Sequence, residues 1–331
     1  MEGFSIKPGF PYVISYDRNR KFELADIEAL QLDSTVNLRQ QLLQYGAILF
    51  RNFPIHAVYD FSNFIKALNL GNFVNYVGGD SPRNKVTEGI YTSTEAPPHF
   101  YIPLHQELSY LSIYPKHIYF FCEIEPEFHG ETIIADARTI YKALNTELVQ
   151  RFQEKRLTYI SHYYKENAMM KLINSFAYSH KSWMDVFETK QKAHVEQFCQ
   201  DNEIDWRWLP DDWIELKHTR PAVMKHPDTQ ETVWFNQAHL FDFNPELLGL
   251  INFMAASLVY FRRQTRLHEI SFANGDKIPR EDLYHILDVL KQHSVAHSWK
   301  KGDVLILDNI LCMHGRACFR GKRRILTAMT S

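Results

Sequence analysis

Among sixteen histidines, four stand two residues before an acid: His105/Glu107, His129/Glu131, His194/Glu196 and His226/Asp228. An imidazole and a carboxylate at this spacing can grip one metal ion only where the chain is extended, because residues two apart then share a face. On a helix they diverge by about 200°. His194/Glu196 falls in a stretch of helical pattern, VFETKQKAHVEQFCQ, and cannot chelate. His226/Asp228 brackets Pro227 and reads as an exposed loop, while His129/Glu131 brackets Gly130 at a strand entrance and stays open. His105-Gln106-Glu107 follows Ile102-Pro103-Leu104 and precedes Leu108-Ser109-Tyr110, so both ligands can leave one face of an extended segment.

Two imidazoles and one carboxylate on a triangular face leave three positions open, which is what a non-haem ferrous oxygenase requires. The third ligand must come from elsewhere, and His314 is the candidate. It follows the apolar run Val304-Leu305-Ile306-Leu307 and precedes Arg316, Arg320, Lys322, Arg323 and Arg324. A buried histidine is ordinarily satisfied by backbone hydrogen bonds. The guanidinium groups nearby favour a ligand instead, because they suit a dicarboxylate seated against the metal. Cys312, His314 and Cys318 offer zinc as an alternative, without a second thiol or histidine pair at structural-zinc spacing.

Such ligands need strands to hold them. Tyr45 to Arg51 (YGAILFR) reads as a buried strand, followed by an amphipathic helix from His56 to Leu70. Strand signals recur at His117 to Glu123, Glu131 to Ala135 and Thr232 to Phe235. Thr139 to Asn202 is mostly helical in pattern and reads as an insertion outside the sheet, with further helices at Pro245 to Arg263 and Arg280 to Gln292. The chain closes on VLILDNILCMHGR and RRILTAM, strands separated by turn-prone breaks. Early and late strands with helices between them predict an α+β domain on a β core.

At 331 residues, 45% hydrophobic and 23% charged, the chain can bury a core without disulfides. A formal net charge of −2 with scattered cations argues against nucleic acid and a membrane surface as partners. Four cysteines without a CxxC pair and an N-terminus lacking an apolar leader point to a cytoplasmic protein. No repeat or linker marks a boundary, so residues 1–331 are expected to form a single domain.

The segments YGAILFRNFPI, YVGGDSPRNKV, YTSTEAPPHFYIPLHQELSY, FFCEIEPEFHGETIIADAR, RPAVMKHPDTQETVWFNQAHLF and WKKGDVLILDNILCMHGRACFRGKRRILTAM resemble the TauD/TfdA family of Fe(II)- and 2-oxoglutarate-dependent oxygenases. The likeness is to its clavaminate synthase-like and syringomycin-biosynthesis-type branch, over nearly the whole chain. It implies a double-stranded β-helix, or jelly roll, with surrounding helices and a helical insertion. By the same resemblance His105, Glu107 and His314 hold iron, while Thr132 and Arg324 bind the distal carboxylate of 2-oxoglutarate, with Arg323 as the fallback for Arg324. Gln106 replaces the branch's usual Asn and is expected to point away from the metal. Residues 272–276 depart from a Gly-Asp-Gly turn.

The activity so implied uses O2 and 2-oxoglutarate to oxidise an unactivated C–H bond of a small molecule, with amino acids, free or carrier-tethered, as the first expectation and a small organic acid or sulfonate as the second. Hydroxylation is the usual outcome, and desaturation or ring closure stays open. Glu107 argues against halogenation, for which relatives have Gly or Ala. Arg83, Thr92, Ser93, Asn236 and Gln237 are candidate substrate contacts, each with an equal case for a purely structural role. A zinc hydrolase would have no reason to keep the Thr132 and Arg324 pair, and a catalytically silent β-helix binding protein would be favoured by loss of a ligand, whereas His105, Glu107, His314, Thr132 and Arg324 are all present. An oligomer is compatible with the resemblance.

Overall fold

A computed structural model of the chain describes residues 4–17, 19, 21, 23, 25–32, 37–79, 81–166, 181–242, 244, 245, 249, 253, 254 and 267–331. Two sheets carry the site. The larger has eight strands in the order Phe4–Lys7, Tyr12–Tyr16, Ala47–Arg51, Val304–Asp308, His117–Ile124, Arg324–Thr330, Ile90–Thr92 and Lys85–Thr87. The smaller has four, in the order Val295–His297, Thr132–Asp136, Cys312–Arg316 and Ile102–His105. Apart from the hairpins Phe4–Lys7/Tyr12–Tyr16 and Lys85–Thr87/Ile90–Thr92, neighbouring strands of these two sheets are distant in sequence, as a double-stranded β-helix requires.

Side-chain alternation sorts the larger sheet into two faces. Ile118, Phe120, Cys122, Leu305, Leu307, Ile325 and Met329 join a core shared with Leu104, Ile134, Cys312 and Met313 of the smaller sheet. Tyr119, Phe121, Val304, Ile306, Leu326 and Ala328 face the other way, toward three helices. Of these, Val58–Leu68 buries Phe61, Phe64, Ile65 and Leu68 along one stripe. Helix Leu38–Tyr45 starts at Asn37, whose side chain accepts from the Gln40 amide, and ends at Gly46 with φ 72°. The strand expected from Tyr45 therefore begins at Ala47, because Tyr45 closes the helix.

The expected insertion is only partly helical. Helices Ala137–Ala143, Thr146–Lys155, Trp183–Val186 and Lys192–Asp201 lie within it, but Leu157–Tyr163 is a strand. It sits inside a four-stranded antiparallel sheet with Asp205–Trp208, Ile214–Arg220 and His268–Phe272. LTYISHY is β-branched and aromatic, and pairing on both sides supplies the backbone partners that a helix would otherwise provide. The helix expected at Pro245 to Arg263 lies almost wholly outside the described residues, whereas Arg280–Gln292 is helical as expected. No described helix is long and apolar enough to cross a membrane.

Candidate metal centre and co-substrate cavity

Strand pairing brings the two histidines together. His314 and His105 are register partners across antiparallel strands of the smaller sheet, with ring centroids 4.4 Å apart. Gly315 makes the approach possible, because a Cβ there would lie 2.4 Å from the Ile102 carbonyl oxygen. Phe120 of the facing sheet packs on the His314 ring. The strand ends at His105, and Glu107 lies in the turn that follows, with Leu108 at φ 55°. The two early residues thus converge by a turn rather than along an extended face. Ligand atoms of His105, Glu107 and His314 all lie within 4.8 Å of one another, in a buried setting.

Each donor is held by a specific partner. His105 Nδ1 lies 2.9 Å from the Pro103 carbonyl, which can only accept, so Nδ1 carries the proton and Nε2 is left bare. Burial and the neighbouring His314 push the His105 imidazole down to about 3, favouring the neutral, ligating form. Glu107 is pinned through its backbone: its N–H donates to Asn309 Oδ1 at 2.8 Å and its carbonyl accepts from Asn309 Nδ2 at 2.9 Å. Its carboxylate pairs with Arg83. Burial would raise the Glu107 carboxyl, but the Arg83 guanidinium and His314 outweigh it and hold it well below the usual carboxylate range. Two imidazoles and an ionised carboxylate form a donor set that suits a ferrous ion.

Beside these ligands a cavity is lined by Ser93, Thr132, Arg316 and Arg323, with Arg83 and Phe120. It is tight, about 30 Å³, room for a water or two, so a five-carbon diacid enters as side chains turn aside. Thr132 Oγ1 accepts from Trp299 Nε1 at 3.0 Å, leaving its own proton to donate. Arg323 spends Nε on the Gly130 carbonyl at 3.1 Å and meets Ser93 Oγ with Nη1 at 3.5 Å, which leaves donors over. Burial and Arg316 lower the Arg323 guanidinium to about 10. Arg316 is committed to four carbonyls, those of Thr94, Ala96, Pro97 and Phe100, and so fixes the loop over the cavity.

Several sequence expectations are corrected here. Arg324 does not line the cavity. It pairs with Glu123 at 2.8 Å, half exposed, at the start of the strand Arg324–Thr330, where the register against His117–Ile124 shifts. Arg323 falls on the inner side. Of the candidate substrate contacts, Arg83 and Ser93 line the cavity and Thr92, Asn236 and Gln237 do not. Thr92 Oγ1 accepts from the Asn84 amide. Asn236 ties Ala222 to Ala238, and Gln237 Nε2 donates to the Gln106 carbonyl.

Gln106 points away from the ligands as expected, donating to the carbonyl of Trp234 at 2.7 Å. His226 is buried rather than exposed, since its Nε2 meets Asp308 at 3.1 Å and its Nδ1 accepts the amides of Asp228 and Thr229. His129 is exposed and 3.7 Å from Glu131. Glu196 receives Trp208 Nε1. Asn309 was missed because Asp308-Asn309 carries only a turn signal in the sequence.

The model for the taurine catabolism dioxygenase TauD, TfdA family matches residues 5–330. The chain is 32% identical over 288 residues to the dapdiamide synthesis protein DdaC of Enterobacter agglomerans, covering 87% of this chain and 83% of that protein. It is 29% identical over 294 residues to a clavaminate synthase-like protein of Arabidopsis thaliana, covering 87% and 82%. Among solved structures it is similar to AAD-2 in complex with Mn(II) and N-oxalylglycine, with a TM-score of 0.54 and 15% identity over 99% of this chain and 96% of that one. It is also similar to a taurine dioxygenase from Burkholderia xenovorans, with a TM-score of 0.51 and 15% identity over 99% and 89%. At these identities the structural likeness shows the fold.

Proposed function

This chain belongs to the TauD, TfdA family of dioxygenases, oxidoreductases that use Fe(II) and 2-oxoglutarate, and we propose that His105, Glu107 and His314 hold its iron. The observation that carries this reading is the convergence of the three ligand atoms within 4.8 Å, one imidazole with its Nδ1 proton already spent. The family match runs over residues 5–330, which supports one catalytic domain. Four unpaired cysteines support a reducing, cytoplasmic setting.

In this reading Arg323 anchors the distal carboxylate of 2-oxoglutarate, and the Thr132 hydroxyl donates to it. The basis is their shared cavity wall beside His105 and His314. Trp299, by donating to Thr132, sets the direction of that hydroxyl. Arg316 holds the loop from Thr94 to Phe100 in place and so keeps solvent from the co-substrate. Arg83 keeps the Glu107 carboxylate ionised and oriented. The iron, with 2-oxoglutarate and O2, supplies the oxidising power, coupling decarboxylation of the co-substrate to oxidation of a C–H bond. Glu107 fills the position that a halide would need, which argues against halogenation; hydroxylation is the outcome in this reading, with desaturation and ring closure as the other outcomes of the same chemistry.

The substrate class in this proposal is amino-acid-like, free or carrier-tethered. The relative named for dapdiamide synthesis supports a role in specialised metabolism. The test is anaerobic addition of Fe(II) and 2-oxoglutarate to the metal-free protein, followed by oxygen and a panel of amino acids. A visible charge-transfer band and substrate-dependent succinate release are expected. A folded protein with no band contradicts the iron assignment, and a band with no amino acid raising succinate release contradicts the substrate class.

A further inference from the structure

Arg83 stands in the wall between two cavities. On one side it borders the His105 and His314 cavity. On the other it borders an outer cavity of about 380 Å³, also lined by Tyr76, Asn84, Glu95, Lys181 and Glu188, within the ~300–1,000 Å³ of small-molecule sites. Its side chain is 2% exposed. Nη2 is committed to Glu107, but Nε and Nη1 are buried without a hydrogen-bond partner. Tyr76 stacks on the guanidinium at 4.4 Å and offers no acceptor to those nitrogens. Leaving donors of a buried cation unmet is costly, and an oxyanion is the ligand that satisfies them best.

The same chamber is also lined by charged groups of the opposite sign. Lys181 donates to the Gly79 carbonyl at 3.1 Å and lies over Tyr76, so its charge is already engaged. Asp185 also borders this cavity, but one of its oxygens accepts both the amide and the hydroxyl of Ser182. Glu95 and Glu188 are less committed. Among the described residues the Glu95 side chain meets only the Asn84 side-chain amide, at 3.5 Å, and the Glu188 side chain makes no hydrogen bond. The chamber lining therefore combines an unsatisfied cation with two carboxylates that have spare capacity.

We propose that this outer chamber is the primary-substrate site and that it selects a free amino acid, whose carboxylate docks on Arg83 and whose ammonium is met by Glu95 and Glu188. This rests on the oxygenase reading above and narrows it. A carrier-bound thioester has lost the α-carboxylate that Arg83 would hold, so the proposal selects the free compound. The bound carboxylate would share the Arg83 guanidinium with Glu107, which places the substrate against the wall of the inner cavity.

The test uses the anaerobic enzyme loaded with Fe(II) and 2-oxoglutarate, titrated with each of the twenty proteinogenic L-amino acids while the charge-transfer band is followed. At least one should perturb the band, its carboxamide should bind at least tenfold more weakly, and Glu95→Gln/Glu188→Gln should weaken the acid at least tenfold. The band recorded before titration reports that the variant is folded and loaded. An amide that binds as well as the acid, or a double variant within twofold of wild type, overturns the chamber and leaves the oxygenase reading intact. A normal band that no amino acid perturbs does the same. Absence of the band in the wild-type protein instead brings down the oxygenase reading.

Discussion

Arg323 and Arg324 leave adjacent positions in opposite directions. Arg323 enters the cavity beside His314 and bonds the Gly130 carbonyl at 3.1 Å, while Arg324 turns out to Glu123 at 2.8 Å. The split falls where the strand begins: Arg323 lies just before Arg324–Thr330, and the register against His117–Ile124 shifts between Arg324 and Ile325, beside Glu123.

Arg323→Met should therefore weaken 2-oxoglutarate binding by about 100-fold, the ~2–3 kcal/mol expected for a charge-assisted hydrogen bond to a carboxylate. Arg324→Met should change it less than about twofold, as a surface pair contributes little. Titration of the charge-transfer band with co-substrate reads both. Equal losses, or the reverse order, would overturn the inward placement of Arg323.

Arg83 and Glu107 form a buried ion pair, so removing either partner strands a charge in the core. In the metal-free protein, Arg83→Met and Glu107→Gln should each cost about 3–5 kcal/mol of unfolding free energy. The double variant should cost about as much as one single, which is the signature of direct coupling. Urea denaturation of all four proteins measures the cycle, and additive losses would refute the pairing.

Asn309 contacts neither iron nor co-substrate in this account, yet it holds the Glu107 backbone at both its N–H and its carbonyl, and the Pro115 carbonyl as well. Asn309→Ala should cost about 2–4 kcal/mol, from two or three buried polar groups left unmet. It should also weaken Co(II) binding about tenfold or more by releasing Glu107. Calorimetric titration with Co(II) checks this; full affinity in a folded variant would remove Asn309 from the positioning role.

Acid should loosen the fold through histidines held neutral. Burial, with Arg220, lowers His218 to about 4, and burial lowers His239 to about 4 despite its bond to the Leu104 carbonyl. The folded state refuses protons that the unfolded chain accepts from its ordinary value of about 6.5 downward. The stabilisation is thus complete above about pH 6.5 and is lost as pH falls toward 4, by roughly 2 kcal/mol per histidine at pH 5. Urea midpoints of the metal-free protein between pH 8 and pH 5 should fall accordingly, and less steeply in His218→Leu. A midpoint that does not fall would contradict the buried neutral state.

Periodicity revealed the parts of this fold whose pattern is local. The apolar runs ending at Arg51 and beginning at Val304 are strands, and the stripe of Phe61, Phe64, Ile65 and Leu68 is a helix face. Spacing and resemblance singled out the two histidines and Glu107. What escaped depends on partners distant in the chain. Leu157–Tyr163 becomes a strand because Ile214–Arg220 and His268–Phe272 flank it. His226 is buried because Asp308, 82 positions away, accepts its ring. Asn309 looks like any turn residue until Glu107 folds against it. The choice between Arg323 and Arg324 needed the start of the strand and its register shift, which two consecutive arginines do not disclose.

The central claim is that three side chains share one iron with an anchored 2-oxoglutarate. It is tested most directly by anomalous diffraction at the iron edge from anaerobic crystals of the loaded protein. The expected result is a single iron peak bonded to His105, Glu107 and His314, with the far carboxylate of the co-substrate on Arg323 and Thr132. An iron peak elsewhere, or one lacking His314, would contradict the account.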